Sequence, residues 1–131
     1  QMLHIHKSER SFVLLLTRSL QAGKPLKGNP FALYLKRLYY YTRIKAGTRI
    51  KAPKVADPSA DTVLNPEEVR HAFEKTREQL KTLLESITPE QRKKYWVTHP
   101  FLKEMRVNDL LRFLNFHQAH HLKKVYRTGK P

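Results

Sequence analysis

Residues 107–126 read VNDLLRFLNFHQAHHLKKVY. At about 100° per residue, Val107, Leu110, Leu111, Leu114, Gln118, His121 and Val125 fall on one stripe, the signature of an amphipathic helix that turns one face to a core. His121 lies mid-stripe with Leu110 and Leu114, His117 at its edge, and His120 on the opposite side. Three of the chain's seven histidines therefore fall within five residues, and two of them look inward. Histidines at i and i+4 aim two imidazoles at one point, which lets two ring nitrogens reach one metal ion. The same spacing also arises in ordinary packing, so a site requires a third donor.

Upstream, three proline-led signals mark helix starts: NPFA at 29–32, NPEE at 65–68 and TPEQ at 88–91. Each pairs an N-cap residue with Pro at the first helical position, and Glu68 and Gln91 complete capping boxes. After Asn65, the apolar positions Val69, Ala72, Phe73, Leu80, Leu83, Leu84 and Ile87 recur at helical spacing and predict a helix over 66–86. Helices are also predicted over 2–20 and 30–46, separated by AGKPLKGNP, whose glycines and prolines forbid a continuous helix. No segment alternates as a strand. The stretch 47–64, with Pro53 and Pro58, reads as a long connection, which allows neighbouring helices to run parallel. The expected fold is an all-α four-helix bundle with one long crossover, packed around Leu16, Leu35, Phe73, Leu80, Leu84, Leu110 and Leu114.

At 131 residues the chain is expected to form one domain, 1–131. It holds no cysteine, so a transition metal must be bound by His, Asp or Glu. The longest apolar run, Phe12 to Leu16, is far too short to span a membrane, and a soluble, cytoplasmic protein is expected. The chain opens at Gln1 without a helix-start signal, so an upstream segment is expected. Twenty-six Lys and Arg against eleven Asp and Glu give a formal net charge of +15. No acid occurs between Arg10 and Ala56, whereas ten of the eleven acids lie between Asp57 and Asp109. Such asymmetry is the electrostatic footprint of a protein that meets a polyanion, or else a solvated basic surface. The candidate surface spans 33–54, where Lys36, Arg37, Arg43, Lys45, Arg49, Lys51 and Lys54 interleave with tyrosines including Tyr40. Cations there would neutralise RNA or DNA phosphates, and tyrosines would stack on unpaired bases.

For the third donor, QMLHIHKSER offers His4 and His6, and only one of them can point at the same place from one helix. The apolar stripe of that helix leaves both on its flanks and does not choose. Two blocks, HIHKSERSFVLLL near the start and THPFLKEMRVNDLLRFLNFHQAHHLKKV at 98–125, resemble the DinB-like (YfiT-like) family of metal-binding four-helix bundles. In that family a His five residues before Glu-Arg sits on an early helix, a His-Pro-Phe turn precedes the last helix, and that helix carries His-x-x-x-His.

The resemblance implies that His4, His117 and His121 bind a divalent metal of the zinc or nickel class, with open positions for water or a thiolate. It further implies a metal-dependent thiol transferase or hydrolase with a small-molecule substrate, and admits a homodimer. His99 becomes a turn residue, and His120 and His71 surface residues. The chain departs from the pattern at Lys103, where a Gly is usual, at Arg106, where a Ser or Thr caps the last helix, and at Lys124, where a Gln follows the third ligand. The family's N-terminal helix ahead of QMLHIH is also missing. Glu9 is read as a packing or ion-pairing residue, and no catalytic base is assigned. The rival function is a non-catalytic basic module that binds nucleic acid through 33–54.

Overall fold

The computed structural model describes residues 2–48 and 65–129. Among these, four long helices run over Met2–Ala22 (α1), Pro30–Lys45 (α2), Pro66–Ser86 (α3) and Val107–Thr128 (α5), with a short α4 at Pro89–Lys93. The three proline-led starts hold as caps. Asn29 accepts from the N–H groups of Phe31 and Ala32, while Asn65 with Glu68 and Thr88 with Gln91 form reciprocal boxes. The α5 helix ends at Gly129, whose φ of 59° supplies the left-handed cap. From residue 49 onward the expected connection lies outside the described residues, and the helical bundle is otherwise as predicted.

One element corrects the reading. Tyr95–His99 (β1) and Lys103–Arg106 (β2) form an antiparallel hairpin between α4 and α5, a region where no strand was expected. The register shifts between Tyr95 and Val97, so Trp96 and Val97 are both buried and the two-residue alternation that marks a strand is lost. Trp96 satisfies its indole by donating from Nε1 to the Gln91 carbonyl at 2.7 Å. Lys103 holds φ at 62°. This is the position where the family pattern has Gly, and a lysine adopts that conformation at a cost of about 1–2 kcal/mol.

The core gathers residues from the four long helices: Phe12, Val13 and Leu16 of α1, Leu33 of α2, Leu80 of α3, and Leu110, Phe113 and Leu114 of α5. The hairpin adds Trp96, Val97, Leu102 and Met105. Phe73 and Leu84 are half-buried, but Leu35 is 48% exposed and is not a core residue. Apolar side chains surround α2 on all sides, so its periodicity does not set its phase; Leu33 and Tyr40, seven residues apart, mark the inner face. Helix α1 packs along α3 and runs antiparallel to α5, with Phe12 edge-on to Phe113 at 5.4 Å and His4 beside His117 at 5.2 Å. Among the described residues, no helix is long and apolar enough to cross a membrane.

Candidate metal centre

Antiparallel packing of α1 on α5 brings the first turn of one helix to the C-terminal half of the other. His117 Nε2 lies 3.3 Å from His4 Nε2 and 3.2 Å from His121 Nε2. The three donors fall within 4.8 Å of one another, and each residue is half-buried. The arrangement fits a metal. A tetrahedral site with metal–nitrogen bonds of about 2.0–2.1 Å has an edge of about 3.3–3.4 Å between donors. Burial and the neighbouring His4 lower His117 to about 4, and burial followed by His117 and His4 lowers His121 to about 3. Both rings are therefore neutral at physiological pH and offer lone pairs, the form that a metal requires. The rotation of α1 places His4, and not His6, with His117 and His121. His6 is buried against α3, its Nε2 3.2 Å from Thr76 Oγ1 and its ring beside Phe73, and it is not in the cluster.

Beneath the cluster lies a polar group that sequence reasoning only partly anticipated. Glu9 is 1% exposed; one carboxylate oxygen pairs with Arg77 of α3 and the other accepts from Gln118 Nε2 at 2.8 Å. Burial raises the Glu9 pKa, while Arg77 and then Gln118 oppose the shift. The expectation for Glu9, packing or an ion pair with Arg10 or a neighbouring helix, did not identify Arg77 and Gln118 as its partners. The available signal was Gln118 itself, a polar residue on the buried stripe that needs a hydrogen-bond partner. The other buried acid, Asp109, accepts from the Arg106 N–H at 3.1 Å and from Arg106 Nε at 2.8 Å, with Arg37 3.6 Å away. The start of α5 is thus satisfied by Asp109, although Arg106 stands where the family pattern caps with Ser or Thr.

The family model described as DinB superfamily matches residues 2–125 of this chain. The chain belongs to the DinB superfamily. Searches of curated proteins and of solved structures returned no match. In this DinB superfamily chain, His120 is half-buried beside Phe116 and outside the three-histidine cluster, and His71 is exposed.

His99 is the turn residue that the His-Pro-Phe motif implied. Its Nδ1 accepts from the N–H groups of Phe101 at 3.0 Å and Leu102 at 3.1 Å, and its ring stacks on Phe12 and abuts Phe113. Protonation would turn that acceptor into a third donor facing two donors. Burial, with a smaller push from His117, accordingly holds His99 down at about 4. An unfolded histidine titrates near 6.5, so between about pH 6.5 and 4 the unfolded chain binds a proton that the folded chain refuses. The contribution is fully present above about pH 6.5 and is lost as pH falls towards 4, on the order of 3 kcal/mol in total. Urea unfolding of metal-free protein should therefore weaken across this window, and less steeply in His99→Asn, whose Oδ1 can still accept at the turn. Parallel pH profiles for the two proteins would contradict the assignment.

The described members of the basic set on 33–54 have different surroundings. Lys36 is half-buried, Arg37 is drawn in towards Asp109, Arg43 lies over the Tyr39 ring at 5.8 Å, and Lys45 is exposed. Arg49, Lys51 and Lys54 lie outside the described residues. Tyr40 is not available as an outward stacking platform. Its ring packs among His99, Phe101 and Phe113 because it lies on the inner face of α2, and burial raises its pKa to about 12.

Proposed function

We propose that this DinB superfamily chain holds a divalent metal of the zinc or nickel class through His4, His117 and His121, and uses it to activate a small thiol or water for transfer or hydrolysis. The observation that supports this reading is the convergence of the three imidazole donors at 3.2–3.3 Å for both resolved pairs. A divalent ion in such a site supplies Lewis acidity, which lowers the pKa of a thiol or water at its open position. The chain's own contribution is to present three imidazoles, at least two of them kept neutral by burial, at the edge of the core. Lys124 stands near His121 and opposes its protonation, and the same cation would draw an anionic substrate towards the cluster. Glu9 and Asp109 are each committed to arginines and are not assigned as bases. The reading is tested with cobalt(II)-loaded protein titrated with a low-mass monothiol. A saturable thiolate-to-cobalt charge-transfer band is expected, and its absence while cobalt stays bound would refute an open thiol position.

A further inference from the structure

We propose that the Glu9–Gln118 hydrogen bond, braced by Arg77, is a positioning clamp that sets the register of α1 against α5 and so holds His4 at binding distance from His117 and His121. The inference rests on the metal reading above. Glu9 follows His4 by five residues on α1, and Gln118 directly follows His117 on α5. The bond between them, 2.8 Å long, therefore joins the two helices that carry the donors. The second carboxylate oxygen is held from α3 by Arg77, so the acceptor cannot swing to follow a displaced Gln118.

Stability alone does not explain a carboxylate that is 1% exposed. Replacing a buried ionic group by well-packed apolar side chains is often neutral or stabilising, so what the polar group adds here is direction. On the core side, Phe12 meets Phe113 edge-on, a geometry found over ring separations of about 4.5–7 Å and so looser in register than a hydrogen bond. A hydrogen bond weakens steeply with angle and length, and a metal site tolerates displacements of only about 0.2 Å. Gln118 is thus a positioning residue, acting through the backbone of α5 on the histidine beside it.

The test compares wild type, Glu9→Gln, and the double variant Glu9→Met/Gln118→Met, using cobalt(II) as the probe. The double variant should keep the wild-type urea midpoint without metal, since an apolar pair fills the same space and Arg77, 42% exposed, can turn to water. Its cobalt affinity should fall about 10–100-fold, the usual cost of losing outer-sphere support, and its visible ligand-field band should lose intensity. Glu9→Gln keeps the link to Gln118 if its amide oxygen accepts from Arg77 and its NH2 donates to the Oε1 of a flipped Gln118, and it should stay within a few-fold of wild type, with an unchanged spectrum. Should the double variant fail to fold, Gln118→Met alone, which leaves the Glu9–Arg77 pair intact, provides the same readout. Wild-type affinity and spectrum in the folded variant would overturn the clamp while leaving the metal reading in place. Equal damage from Glu9→Gln would overturn it as well, because charge and not direction would then be at work. Wild-type protein that binds no cobalt would overturn the metal reading and the clamp with it.

Discussion

Replacing His121 with Ala is expected to abolish metal retention, whereas replacing His120 with Ala should leave it within a few-fold of wild type. The two residues are adjacent in sequence, yet only His121 turns its Nε2 to within 3.2 Å of His117 Nε2. His120 projects from α5 beside Phe116 and does not join the three donors. Changes to groups that merely support metal ligands cost about 10–100-fold in affinity, so loss of one donor of three should exceed that range. Metal-free His121→Ala should still fold, because His121 lies beyond the core contributed by Leu110, Phe113 and Leu114. The check is competition with a chromophoric chelator on both variants. Equal retention by the two would show that the cluster is packing and not a site.

The second large effect concerns stability. Leu110→Ala is expected to cost about 2–5 kcal/mol, since Leu110 is 1% exposed in the core that α5 shares with α1 and the hairpin, and truncation leaves a cavity that close-packed neighbours fill poorly. Leu35→Ala, at 48% exposure on the outer face of α2, should stay within about 0.5 kcal/mol. Urea unfolding of metal-free protein measures both, and an unchanged m value would confirm that the same surface is exposed on unfolding. Similar costs at the two positions would mean that α2 is rotated relative to the arrangement described.

These contrasts mark where the sequence was legible. Helix α3 was readable end to end because its start carries a capping box and its apolar residues keep one period, and α5 was readable because Leu110, Leu114 and His121 share a face. The hairpin was hidden by the register shift that buries both Trp96 and Val97, which removes the alternation by which strands are recognised. Helix α2 could be placed but not phased, since Phe31, Tyr34, Leu35, Leu38 and Tyr39 are apolar or aromatic and yet exposed. In the candidate site, the His117–His121 pair followed from spacing. The choice of His4 over His6 followed from family resemblance, and the rotation of α1 that buries His6 against Thr76 gives it a physical basis. The link between Glu9 and Gln118 spans 109 residues of sequence, and no local pattern announces such a contact.

The central claim is that His4, His117 and His121 together hold a divalent ion. Anomalous diffraction from crystals of zinc- or nickel-loaded protein, recorded at the metal's absorption edge, tests it most directly. The account predicts one peak among the three side chains, about 2.0–2.2 Å from each Nε2. A peak held by other residues, or none at the three histidines after loading, would contradict it.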